Sequence, residues 1–181
     1  MGRRIDIAEC LSAAGLAGLI AVLIIAYAEQ FAAHDLPCAL CLLQRVALAG
    51  VAYGLLLNLR FGPQPSAHAI MLLAALFGMA AAGRQVLLHI TPGSGSYGEP
   101  LLGLHLYTWS FLLFVLVILG TAMLLLVPKP TLPVWSLPLR VKQTLAWAVI
   151  GLTAINAVTT LLQCGPVECP DNPVRYWAFA G

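Results

Sequence analysis

Leu11-Ser12-Ala13-Ala14-Gly15-Leu16-Ala17-Gly18-Leu19-Ile20-Ala21-Val22-Leu23-Ile24-Ile25-Ala26-Tyr27-Ala28 decides what kind of protein this is. No charged side chain occurs between Glu9 and Glu29, and nearly every residue of the stretch is aliphatic or small. A helix needs about 20 predominantly apolar residues to cross a bilayer, and this run suffices. Four similar runs follow, at about 42–59, 67–90, 104–127 and 143–163. Gly62-Pro63-Gln64-Pro65 separates the second from the third, a Gly-, Ser- and Pro-rich segment at 91–100 the third from the fourth, and Pro128, Pro130, Pro133 and Pro138 the fourth from the fifth. Of the 181 residues, 61% are hydrophobic and 9% charged, where a soluble domain carries about 25% charged residues. Much of the surface must therefore face a lipid bilayer. The expected fold is all-α: a polytopic membrane bundle of five transmembrane helices, one domain over 1–181, with a tail at 164–181 behind the last span. A formal net charge of +2 and no basic stripe give no reason to expect a nucleic-acid partner.

Five spans place the termini on opposite sides. Cytoplasmic flanks of membrane helices are rich in Lys and Arg. With the N-terminus inside, Arg3, Arg4, Arg60, Lys129, Arg140 and Lys142 are all cytoplasmic, and only Arg175 is clearly outside. N-in, C-out is the expected orientation, with Arg45 and Arg84 at the outer ends of their helices. A signal peptide competes for the first span, because Arg3-Arg4 resembles a basic n-region and Ala26-Tyr27-Ala28 a cleavage site. The apolar run exceeds the roughly 7–15 residues of such a signal. Gly50 and Gly54 form a G-x-x-x-G on the second span, and Ala14 and Gly18 a similar pair on the first. Small residues let helix backbones approach in lipid. Packing inside one bundle is the simpler expectation, and a dimer interface the alternative.

This topology sorts the five cysteines. Cys38 and Cys41 precede the second span and Cys164 and Cys169 follow the fifth, so both pairs face the outer, oxidising side. Cys10 sits alone near the inner end of the first span, where it reads as an inert small hydrophobe. Paired cysteines on an oxidising face point to disulfide chemistry.

Cys38-Ala39-Leu40-Cys41 is a C-x-x-C at a helix start, preceded by Pro37 as suits a first turn. The unsatisfied amides and dipole of a helix N-terminus stabilise a thiolate. A disulfide over so short a loop adds little to stability and suits being made and broken; a static clip is the alternative. Arg45 lies four residues after Cys41, on the same helix face. A cation at the membrane border is costly and usually functional. It can stabilise a Cys41 thiolate or polarise a ligand carbonyl; snorkelling to lipid phosphate is the plainer reading. Between Cys164 and Cys169, Gly165 and Pro166 allow the tight turn a disulfide needs, as an exposed shuttle or a structural staple. Proximity favours Cys38–Cys41 and Cys164–Cys169, with an interloop bond as a conceivable intermediate. Four cysteines on one side also lie within the range of zinc sites, but they sit on different spans, and no metal is expected.

Leu36-Pro37-Cys38-Ala39-Leu40-Cys41-Leu42-Leu43-Gln44-Arg45 resembles the disulfide bond formation protein B family, DsbB, in its Pro-preceded C-x-x-C and its Arg four residues on. The likeness continues more weakly through Gly83-Arg84-Gln85, Tyr97-Gly98 and Leu102-Gly103-Leu104-His105-Leu106-Tyr107-Thr108-Trp109. The tail Cys164…Cys169-Pro170-Asp171-Asn172-Pro173 resembles one branch of the family. A DsbA–DsbB–quinone relay keeps the bacterial periplasm oxidising, and the resemblance, not the spacing, implies the same here. It implies a bacterial inner-membrane oxidoreductase in which a periplasmic, DsbA-like thioredoxin-fold protein passes electrons to the tail pair. They then go to Cys38–Cys41 and on to a quinone, ubiquinone or menaquinone. Arg45, Arg84 and Gln44 are the expected quinone-binding residues, with His89 and His105 as lesser candidates. Tyr107 and Trp109 read as an aromatic belt. Glu29 and Asp35 read as a solvated loop entry, with Asp35 a candidate cap for the second helix. One departure stands out: familiar members carry their second cysteine pair between the third and fourth spans, and here 91–103 contains none. The non-catalytic alternative is a membrane scaffold whose disulfides only fix its outer loops.

Overall fold

The computed structural model describes residues 7–32, 36–91, 100–126, 136–170 and 173–179. Expectations placed on Arg3, Arg4, Asp35, Tyr97, Gly98, Pro128, Lys129, Pro130, Pro133, Asp171 and Asn172 lie outside these residues. Five helices form: α1 (Ile7–Ala32), α2 (Ala39–Phe61), α3 (Pro65–Leu88), α4 (Leu106–Leu126) and α5 (Leu139–Cys164). Each is long and apolar enough to cross a membrane. Among the described residues no strand forms, and the only bridge joins Leu101 and Leu104.

α1, α2 and α5 run past both ends of the apolar stretches that announce them, α3 only past its start, and α4 lies within its stretch. α1 takes in Glu9 at its start and Gln30 near its end. α3 begins with Pro65 in its first turn, where the missing N–H costs nothing. α5 starts directly behind Pro138, so Arg140 and Lys142 belong to its first turn rather than to the connection.

α2 is the central element. Of its apolar stretch 50% is buried, against 11% for those of α4 and α5. It packs on α1, α3 and α5, while α4 packs on α3 and leaves a gap towards α1. Leu16, Leu19, Leu23 and Tyr27 form one buried stripe of α1 against Leu48, Val51 and Leu55 of α2, at the three- and four-residue spacing of one helix face. Gly50 and Gly54 bring α2 onto α3. A Cβ on Gly54 would lie 2.4 Å from Met71 Cγ, and one on Gly50 would lie 2.9 Å from Ala74 Cβ. The G-x-x-x-G is thus used inside the bundle, whereas Ala14 and Gly18 are exposed. Leu73, Leu87, Leu116, Met123 and Trp147 are all more than 60% exposed; such a surface fits a lipid solvent.

The two ends differ. At one, Lys142 Nζ pairs with Glu9 Oε1 at 2.8 Å and donates to the Leu59 carbonyl at 3.0 Å, tying the start of α5 to the start of α1 and the end of α2. The opposite end carries both cysteine pairs.

Candidate functional site

Cys38 is the N-cap of α2. Its sulfur accepts a hydrogen bond from the Cys41 amide at 3.2 Å, the role an Asp or Ser oxygen usually fills. Pro37 therefore stands one residue before the cap rather than in the first turn, and Cys38 holds the cap position. The Cys38 and Cys41 sulfurs lie 2.6 Å apart as free cysteines. The hydrogen-bonding contact with the Cys41 sulfur, and burial after it, push the Cys38 thiol far above the ordinary cysteine range, so Cys38 keeps its proton.

Gln85 of α3 closes over the pair. Its Nε2 lies 3.3 Å from Cys38 Sγ and 3.4 Å from Cys41 Sγ, and its Oε1 accepts from Gln44 Nε2 at 2.7 Å. Arg45 is buried one turn further along α2. It donates through Nη1 to Gln30 Oε1 and through Nη2 to the Ala26 carbonyl at 2.8 Å, with its guanidinium 4.8 Å from the centre of the Tyr27 ring. Three partners, all on α1, explain how a buried cation is tolerated here.

Cys41, Gln44, Arg45 and Gln85 share the wall of one cavity of about 510 Å³. It occupies the gap between α1 and α4 and is otherwise lined mainly by apolar residues such as Val22, Leu48 and Leu113. Its lip is the turn at 101–104, where Leu101 and Leu104 exchange backbone bonds of 2.9 and 3.1 Å and Leu102 adopts a φ of 53°. Trp109 Nε1 donates to the Leu101 carbonyl at 2.9 Å, fastening this turn to α4.

The second pair is a disulfide, Cys164–Cys169. Gly165 caps α5 at a φ of 63°, and a Cβ there would lie 2.5 Å from the Trp177 ring, so both conformation and space call for glycine. Cys164 is buried, while 166–168 are exposed. Two side chains join this region to the first pair. Gln163 donates to the Pro37 carbonyl at 2.7 Å, linking the residue before Cys164 to the residue before Cys38. Gln30, which holds Arg45, donates to Tyr176 Oη at 3.1 Å.

The expected residues are thus distributed unevenly. Cys38, Cys41, Gln44 and Arg45 meet at one site, and Cys164 and Cys169 adjoin it. Arg84 is exposed and absent from the cavity wall; its neighbour Gln85 occupies the inner position. His89 and His105 each stack on Tyr107 at 5.3 Å, and Tyr107 lines the cavity. Gln30, Gln85 and Gln163 are all at most 2% exposed; none was expected at the site, and Gln85 was named only within the stretch Gly83-Arg84-Gln85. The available signal was an amide in an otherwise apolar helix, which is costly in lipid unless it is paired. Among the described residues no three His, Cys, Asp or Glu side chains gather as a metal site needs.

A dithiol at a helix start, set against an apolar cavity in a helical membrane protein, is the arrangement that a membrane thiol–disulfide oxidoreductase needs. The sequence model of the family described as disulfide bond formation protein DsbB matches residues 8–99, half of the chain. The chain belongs to the DsbB family. The matched stretch contains Cys38, Cys41, Gln44, Arg45 and Gln85 and ends before α4 and the tail pair. No curated protein and no solved structure is similar enough to count as a match.

Proposed function

We propose that this disulfide-forming membrane oxidoreductase reoxidises a periplasmic, DsbA-like thioredoxin-fold protein and passes the electrons to a membrane quinone. The carrying observation is that Cys41 and Arg45 share the wall of one apolar cavity. A quinone needs hydrogen-bond donors for its carbonyls and apolar surface for its tail. The cavity fits both needs: aliphatic walls supply the surface, and the described bonds of Arg45 occupy one hydrogen of each terminal nitrogen, out of five N–H donors. When bound, the quinone accepts two electrons and two protons.

The residues of the chain would act in sequence. A thiolate of the partner attacks the Cys164–Cys169 disulfide and forms a mixed disulfide. The partner's second thiol then resolves it, leaving the partner oxidised and the tail pair as two thiols. A tail thiolate next attacks an oxidised Cys38–Cys41 pair, and the second tail thiol closes the tail disulfide again. Cys38 and Cys41 are now reduced beside the cavity, ready to give up two electrons and two protons as their own disulfide re-forms. Every exchange is thiolate attack on a disulfide. The Gln163 link to Pro37 supports transfer between pairs held side by side. The cysteine end would face the periplasm, because Arg60, Arg140 and Lys142 gather at the other end.

Purified protein in detergent, given a reduced DsbA-like donor and short-chain ubiquinone or menaquinone analogues, tests the relay. Quinone reduction that disappears in Cys41→Ser is the expected result. No turnover with any donor or quinone, with the cysteine pairs inert to mild reductant and oxidant, would favour a structural scaffold.

A further inference from the structure

Gln85 is 1% exposed near the end of an apolar helix, a place where an unpaired amide would be strongly disfavoured. A primary amide has two N–H donors and one carbonyl acceptor. Here the nitrogen reaches both sulfurs of the C-x-x-C, at 3.3 and 3.4 Å, and the carbonyl is taken by Gln44 Nε2 at 2.7 Å. The only other polar contact of this amide with the pair is a longer one, 3.7 Å from Cys41 Sγ to Oε1, in which a thiol would donate. The side chain meets the reacting atoms chiefly as a donor.

The oxidation states differ in what they accept. A disulfide sulfur is a weak acceptor, whereas a thiolate accepts a charge-assisted bond that strengthens in a water-poor setting. An N–H aimed at both sulfurs therefore favours the reduced pair over the disulfide. A dithiol couple whose reduced form is stabilised is the more strongly oxidising one. Orientation decides the sign: turned by half a rotation, the same amide would present its oxygen to the sulfurs and oppose thiolate charge. The Gln44 N–H on Oε1 fixes the favourable orientation.

We propose that Gln85 is the hydrogen-bond donor that stabilises the reduced Cys38–Cys41 pair and makes it a stronger oxidant, and that Gln44 is the positioning residue that aims it. This deepens the proposed relay and rests on it only in taking the pair to be redox-active; its test needs neither quinone nor partner.

The test equilibrates the full-length protein in detergent with mixtures of reduced and oxidised glutathione. Two glutathione thiols give two electrons and two protons to the Cys38–Cys41 disulfide, leaving glutathione disulfide and two protein thiols. The fraction reduced is read by alkylation and peptide mass, which separates this pair from the tail pair. Gln85→Met keeps the volume and removes the donors. It is expected to shift the equilibrium about tenfold towards the disulfide, a fall of about 30 mV, and to slow alkylation of Cys41 in the reduced protein. Gln44→Leu is expected to shift it the same way by less, about threefold, because the amide remains but loses its bearing. A space-filling role predicts no shift in either variant. An equilibrium within twofold of the parent in folded Gln85→Met overturns the proposal; should that variant misfold, an unshifted Gln44→Leu overturns it instead. The expected shifts without any quinone turnover would overturn the relay and leave the donor role standing.

Discussion

The two cysteine pairs lie at the same end of the bundle and are built in opposite ways. Cys38 and Cys41 stand at the beginning of a helix, where one sulfur caps the other's amide and a buried glutamine attends both. Cys164 and Cys169 straddle the end of a helix, and the loop between them is exposed around a glycine in the left-handed region. A helix start offers N–H groups to a sulfur, and a helix end offers carbonyls. The first pair therefore sits where negative charge is welcome and water scarce, and the second where another protein can reach it. The lesson is that the position of a cysteine pair along a helix does as much as its spacing to set its chemistry.

The strongest way to break this contrast is to remove one sulfur from each pair. Cys41→Ser should abolish quinone reduction, at least about a thousandfold, whether electrons come from a thioredoxin-fold donor or a small dithiol. Cys169→Ser should abolish it with the protein donor alone. Equal loss with both donors would show that the tail pair is more than a docking shuttle. Arg45→Ala should lower kcat/KM for quinone by about 10- to 100-fold, the worth of a hydrogen bond from a charged group. It should also cost some thermal stability in detergent, because Gln30 Oε1 and the Ala26 carbonyl lose their partner; an unchanged KM and kcat would remove Arg45 from the site. Gly165→Ala should destabilise the tail by about 1–3 kcal/mol, from left-handed strain and overlap with Trp177. Limited proteolysis of the tail, with helices intact, would register it. Smallest is Glu9→Gln at the far end, at most about 1 kcal/mol in thermal unfolding and nothing in turnover. A loss of turnover there would show that the two ends are not independent.

The five spans were legible because lipid demands long apolar runs, and the helices lie where those runs are. Their ends were less so. Nothing in an apolar count says that α5 begins right behind Pro138, or that Lys142 reaches Glu9. Cysteines and Arg45 also announced themselves, being rare and costly in a membrane. The amides did not. Arg84 drew attention through its charge, yet one residue along a helix is a rotation of about 100°, and that rotation puts Gln85 over the sulfurs and Arg84 outside. Gln44 was read as a donor for the quinone; it does line the cavity, and its amide also donates to Gln85, a partner 41 positions away that only the packing of α2 on α3 supplies. The lip at 101–104 was read partly as loop and, from Leu104 on, as the start of the fourth span, whereas α4 begins at Leu106.

Gln30 serves two masters, Arg45 in the cavity wall and Tyr176 in the tail. Any molecule that draws the guanidinium towards itself competes with the carbonyl of the same amide whose nitrogen anchors the tyrosine. If that rivalry moves the amide, occupancy of the cavity and docking of the tail would be linked equilibria. Linkage is reciprocal: the factor by which a filled cavity alters the hold on the tail is the factor by which a displaced tail alters affinity for whatever fills the cavity.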